Sequence, residues 1–252
     1  MSGLLDAVTF LTRVPIGAKR RHDADVGGAV PWFPVVGAIV GLVVAAAYAG
    51  AARFVPALIA ATLAVATGVL ITGALHEDGF GDVADAFGGG ASREDALRIL
   101  KDPRLGTFGV LAVVVSVLVR VAAIAALTGR VALVVVPAVH ALARAAAVGA
   151  MAIFEPVESG LGAVYTRSAS LRRASIGVVA GAAIASALLR VWVAPAVAIG
   201  FVVCIAMGAF AKRKIGGING DVLGAIEQLA EMALLIGAVA LGRRISATFP
   251  FP

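Results

Sequence analysis

Seven apolar segments dominate the chain, at approximately 34–52, 55–75, 108–127, 131–153, 174–190, 192–210 and 222–241. Each meets or approaches the ~20 residues that a helix needs to cross a bilayer. Only 14% of the 252 residues are charged and 61% are hydrophobic. A soluble domain carries about a quarter charged residues, so this chain cannot cover itself and lipid must solvate much of its surface. The 30 glycines, with abundant alanine, suit helices that approach closely where no hydrophobic effect acts between them. The expected fold is all-α, a polytopic membrane bundle of about seven transmembrane helices forming a single integral domain over 1–252. The start of the chain lacks the layout of a signal peptide, its apolar stretch being short and followed by a basic loop.

Lysine and arginine fix the expected orientation. With the N-terminus in the cytoplasm, the inside segments hold 14 of the 21 basic residues and the outside segments 5, with Arg120 and Arg144 inside apolar runs. This obeys the positive-inside rule loop by loop. It also explains the net charge of +6 without nucleic acid as a partner; the expected partners are lipid and small molecules. The inside loops are the long ones, at about 76–107, 154–173 and 211–221, so functional groups are expected on the cytoplasmic face. Cys204 stands in an apolar run and reads as a buried small hydrophobe.

The loop from His76 to Phe108 opens with His76-Glu77-Asp78-Gly79-Phe80-Gly81-Asp82-Val83-Ala84-Asp85. If the helix continues through it, Asp78, Asp82 and Asp85 stand at i, i+4 and i+7 and stack on one face. Carboxylates so placed repel unless a cation or proton compensates, and oxygen ligands suit Mg²⁺ or Mn²⁺. A solvated acidic linker is the alternative, but it gives no reason for three aspartates on one face directly after an apolar span. Gly79 and Gly81 are expected to leave room for a phosphate group. His76 is a candidate base, ligand or structural histidine; His140 and His22 have weaker claims.

Lys101, Asp102 and Arg104 precede the next span, where the cations could hold phosphate oxygens or simply anchor the membrane boundary. Gly216, Gly217 and Gly220 are expected to open a nest of N–H groups for an anion, with Asn219 and Asp221 capping the following helix. A flexible basic turn would look the same. Arg120, Arg144, Glu155, Glu227 and Glu231 are costly within a membrane and are expected to face the bundle interior. An Arg144–Glu pair is one way to compensate them.

These residues resemble the cobalamin synthase family, the adenosylcobinamide-GDP ribazoletransferases. His76–Asp85 is similar to that family's HxDGxxDxxD signature, Lys101–Gly109 to its KDxRxGTxG block, and Gly216–Ala225 to its GGxxGDxLGA block, with Glu231 following. Phe10-Leu11-Thr12-Arg13-Val14-Pro15 and Phe33-Pro34-Val35-Val36-Gly37 are similar to its first segment. The resemblance implies the last assembly step of cobalamin synthesis in the bacterial inner membrane. A hydroxyl of α-ribazole, or of its 5′-phosphate, attacks the cobinamide-linked phosphorus of adenosylcobinamide-GDP, and GMP leaves. It implies Mg²⁺ dependence and marks the positions; on the reading of the residues themselves Asp78, Asp82 and Asp85 would hold the ion, and His76 or a carboxylate such as Glu77 would be the catalytic group. Arg13, Lys101, Asp102, Arg104, Asn219, Asp221 and Glu231 would bind substrate. A homo-oligomer is compatible with the sequence. A CDP-alcohol phosphotransferase would share the metal logic, but the chain lacks that class's DG-xx-AR arrangement. A transporter would show internal repeats or helices broken near the midplane, and no repeat is visible.

Overall fold

The computed structural model describes residues 2–16, 26–157 and 170–241 and is all-helical, with one isolated β-bridge between Pro156 and Ile218 among those residues. Its α-helices are α1 (Ser2–Leu11), α2 (Val26–Ala29), α3 (Phe33–Ala51), α4 (Ala57–Thr72), α5 (Leu75–Gly89), α6 (Arg93–Ile99), α7 (Thr107–Ala125), α8 (Gly129–Ile153), α9 (Leu171–Leu189), α10 (Val193–Ile215) and α11 (Gly220–Ala240). Among the described residues five stretches are long and apolar enough to cross a membrane: Gly27–Ala51, Thr107–Ala125, Gly129–Ile153, Leu171–Ile215 and Gly220–Ala240. The bent pair α4–α5 makes a sixth if it counts as one span. Leu171–Ile215, expected as two spans, is interrupted by a 3-10 turn at Arg190–Trp192, with Arg190 at φ 54°. Large apolar side chains such as Leu42, Leu63, Leu118, Phe201 and Ile236 point outward, as lipid-facing residues would.

The ends of the helices follow local side-chain chemistry. Ser92, Thr128, Ser170 and Asn219 each accept a backbone N–H of the first turn that follows, at Asp95, Val131, Arg173 and Val222. Each such cap contributes about 1 kcal/mol. The break between α4 and α5 is a 90° bend made by Gly73 and Ala74, both left-handed at φ 66° and 59°. Arg13 lies where a Cβ on Gly73 would go, and its own N–H donates to Ile71 O at 2.7 Å.

The most buried span, α8, is gripped by glycines spaced four apart. On one side Gly37 and Gly41 of α3 pack on Arg144, His140 and Pro137; on the other Gly177 and Gly181 of α9 pack on Val148, Ala145 and Ala141. A Cβ on Gly41 would sit 2.8 Å from Pro137 Cα, and one on Gly181 would sit 2.7 Å from Ala145 Cβ. Small residues therefore set these crossings, as expected between helices in lipid.

The stretch 76–107, expected as a cytoplasmic loop, is mostly helix. Its first half, α5, lies inside the bundle between α7 and α11. Glu155, expected at membrane depth, instead lies beyond α8 in an exposed turn, and its carbonyl accepts the Ile218 N–H at 2.9 Å.

Candidate functional site

The acidic site is built by two glycines on α5. Residues two apart on a helix point about 200° apart, so Gly79 and Gly81 face opposite neighbours. A Cβ on Gly79 would meet Asp221 of α11 at 2.9 Å from its Cα; one on Gly81 would meet Leu105 at 2.8 Å and Val113 at 3.3 Å, on the α7 side. Gly224 of α11 returns the contact, close to His76 and Gly79. The expectation that these glycines leave room for phosphate is therefore corrected: the space is filled by neighbouring helices. What the glycines achieve is close approach, which leaves the side of α5 bearing Asp78 and Asp82 beside the start of α11.

Asp78 is exposed and Asp82 half-buried. The charges of Asp78, Asp221 and Asp85 all act on Asp82. Among the described residues no lysine or arginine forms an ion pair with Asp78, Asp82 or Asp221; Asp221 accepts one hydrogen bond from Asn219 Nδ2 at 2.8 Å. Carboxylates with this little compensation, donating only oxygen, fit a hard divalent cation such as Mg²⁺. Their ligand atoms are not gathered within 4.8 Å of one another, as expected of like charges.

Asp85 departs from its expected place among the metal ligands. One oxygen accepts the Gly106 N–H at 2.6 Å and the other the Gly109 N–H at 2.9 Å, at the N-terminus of α7. It is buried and anchors α5 to α7, where the helix dipole favours a negative group.

His76 and Glu77, expected as catalytic groups, face the interior instead, and Glu231, expected to face the interior as well as to bind substrate, is buried there with them. Glu77 accepts from Arg120 Nη1 at 2.9 Å, and the same nitrogen lies 3.6 Å from Glu231. Arg144 Nη1 pairs with Glu227 at 2.5 Å and lies 3.7 Å from Glu231 and 2.9 Å from His140 Nδ1. His76 Nδ1 is 3.7 Å from Glu227, and Gln228 links Glu227 to Ser116 of α7. The adjoining cavity encloses only about 10 Å³, room for one water at most and none for a nucleotide or corrinoid. His140, Glu227 and Glu231 form the one trio of metal-type ligands within 4.8 Å among the described residues. The guanidinium of Arg144 already contacts all three, so a cation is disfavoured there. Charge within a span signalled part of this network in the sequence; His140, Ser116 and Gln228 carried no such signal.

The remaining expected residues cluster at the same end as Asp78. Asp102 accepts Arg104 Nε at 2.9 Å and Nη2 at 2.8 Å, and also the Arg104 backbone N–H at 3.0 Å. This pair holds the Asp102 carboxyl down to about 2, chiefly through the side-chain hydrogen bonds. Arg104 is largely exposed with its Nη1 turned to neither oxygen, and Lys101 is exposed beside it. The glycine turn at 216–218 is corrected from an open anion nest. Gly216, at φ 90°, donates to Lys212 O, and Ile218 donates to Glu155 O, so those N–H groups are occupied. Two cations not expected in this role close the end: Arg93 Nε donates to Ile215 O and Lys214 Nζ to Phe87 O, both at 3.0 Å. Of the expected inside cations, Lys19, Arg20, Arg21 and Arg167 lie outside the described residues, as does His22.

Comparison with known proteins places the chain in a family. The family model described as cobalamin-5-phosphate synthase matches residues 3–239. The adenosylcobinamide-GDP ribazoletransferase of Sinorhizobium medicae is 39% identical over 256 aligned residues, covering 93% of this chain and 94% of the relative. Those of Azorhizobium caulinodans and Chlorobaculum tepidum are 39% and 36% identical, covering 94% and 93% of this chain and 95% and 93% of theirs. No solved structure matches the chain.

Proposed function

The chain belongs to the cobalamin-5-phosphate synthase family, and from that premise we propose how its own residues perform the final assembly step. It is an adenosylcobinamide-GDP ribazoletransferase, an enzyme joining ribazole to adenosylcobinamide-GDP. The acceptor is α-ribazole or its 5′-phosphate. Its hydroxyl oxygen forms a bond to the cobinamide-linked phosphorus, the bond from that phosphorus to the GMP oxygen breaks, and the hydroxyl proton passes to a carboxylate.

Asp78, Asp82 and Asp221 hold Mg²⁺ in this reading. The observation that carries it is their convergence from α5 and α11 with no basic partner among the described residues. When bound, Mg²⁺ supplies charge neutralisation at the diphosphate. Asp85 keeps α5 seated on α7 while its neighbours bind. Lys101 and Arg104 take the departing phosphate; Asp102 occupies Arg104 Nε and Nη2, which presents Nη1 outward. Asn219, bonded to Asp221, and Arg13, packed on Gly73 at the bend that precedes α5, complete the substrate contacts. The acidic end faces the cytoplasm of the bacterial inner membrane, which the distribution of lysine and arginine supports.

The test is GMP release by purified protein in liposomes given adenosylcobinamide-GDP, α-ribazole and Mg²⁺. Chelation with EDTA is expected to abolish turnover and added Mg²⁺ to restore it. Asp82→Asn is expected to lower turnover by about a hundredfold or more with helical content retained. Full turnover by Asp78→Asn combined with Asp82→Asn would remove the metal assignment.

A further inference from the structure

The acidic face depends on a residue that never reaches it. We propose that Arg120, in the interior of α7, is a positioning residue: through Glu77 it fixes the start of α5 and so sets where Asp78 and Asp82 stand relative to Asp221. The inference rests on the assignment of those three carboxylates as the divalent-cation site.

The argument begins with the two attachments of α5 to α7. Near its end, Asp85 takes the N–H groups of Gly106 and Gly109. Near its start, Glu77 takes Arg120 Nη1 at 2.9 Å. Asp78 and Asp82 lie between these anchors. Glu77 is also the residue directly before Asp78, so a shift of its backbone is passed to Asp78 without slack. Close packing transmits such a shift rather than absorbing it, because Gly79 and Gly81 already bring α5 into backbone contact with both neighbours.

The Glu77 anchor is a single bond. Its other oxygen, Oε2, is buried without a hydrogen-bond partner, and so are Arg120 Nε and Nη2. Arg120 Nη1 serves both Glu77 and, at 3.6 Å, Glu231 of α11. One nitrogen thereby relates the helix that carries Asp78 and Asp82 to the helix whose first turn carries Asp221. Lysine at this position keeps the charge, but its chain ends one atom short of Nη1, so its nitrogen does not reach both carboxylates. Groups that orient metal ligands from behind typically change affinity by about 10–100-fold when altered.

The experiment measures Mn²⁺ bound by the purified full-length protein in nanodiscs, by electron paramagnetic resonance, with no substrate present. Arg120→Lys and Glu77→Ala are each expected to weaken Mn²⁺ binding by about tenfold or more. Glu77→Gln keeps an acceptor for Arg120 Nη1 and is expected to stay within about threefold of the wild type, which a direct ligand role for Glu77 would not allow. Ser116→Ala, one turn before Arg120 on α7 and bonded to Gln228 instead, is expected to bind as the wild type does. Wild-type affinity in folded Arg120→Lys or Glu77→Ala overturns the inference, and should Arg120→Lys not fold, the Glu77 pair decides it alone. Absence of Mn²⁺ binding by the wild type itself would overturn the cation site and this inference with it, a result separable from the others because it precedes any substitution.

Discussion

Gly79 and Asp221 meet backbone to backbone: a Cβ on Gly79 would lie 2.9 Å from the Asp221 Cα and 3.1 Å from its carbonyl oxygen. The residue that ends in a carboxylate on α11 is thus held in place by the absence of a side chain on α5. Adding one has a calculable consequence.

Gly79→Ala forces α5 and α11 apart at the acidic site. Overpacking of this kind costs about 1–3 kcal/mol, and a shift near 1 Å at a reacting centre can cost about a hundredfold in rate. We expect a modest fall in melting temperature and a large fall in GMP release. Gly89→Ala, whose Cβ would only touch Ile99 at 3.9 Å, is expected to retain activity. Equal turnover by both variants would mean that the Gly79 contact does not set the site.

The buried pair of Arg144 and Glu227 should behave as a unit. Removing one partner strands the other in the membrane interior, at about 3–5 kcal/mol. Arg144→Met is therefore expected to lower the unfolding midpoint in detergent sharply, and Arg144→Met with Glu227→Leu to recover much of it. An unchanged midpoint for the single variant would show that the charge finds another partner.

Asp102 and Arg104 give a pH signature outside the spans. The folded carboxyl titrates at about 2, below its ordinary 3.8, so it binds fewer protons folded than unfolded in that interval. Its contribution is present above the ordinary carboxylate range and is lost as pH falls through about 2. Arg104 is largely exposed and Asp102 partly so, and the effect is confined to the turn. Carboxyl-detected NMR of the intact protein is expected to place Asp102 near 2, and Arg104→Gln to return it toward 3.8. An ordinary value in the wild type would show that the pair does not persist in solution.

Several elements were readable from the chain alone. The expected spans 34–52, 108–127 and 131–153 lie within a few residues of α3, α7 and α8, because hydropathy and N-cap chemistry are local. The i, i+4, i+7 aspartate spacing was legible once α5 proved helical. The expected span 55–75 shows the limit. It ends at Thr72, because Gly73 and Ala74 turn the chain by 90°, and nothing apolar or polar in the sequence distinguishes that alanine from its neighbours. The two glycines of the acidic stretch suggest open space in the sequence, whereas each is a contact in the fold, since a missing side chain does not name what fills its place.

The order of residues determined that this chain is helical with several spans apolar enough to cross a membrane, and that many of its acidic and basic groups collect in particular connections. Those properties follow from counts and spacings along one strand of polymer. Which carboxylates remain available was decided by tertiary structure: Asp85 is taken by N–H groups 21 and 24 positions away and Glu77 by a guanidinium 43 positions away, leaving Asp78 and Asp82 to face Asp221. A charge finds its partner through the crossing of helices distant in sequence, and the small residues that set each crossing express their effect only when the facing helix is present.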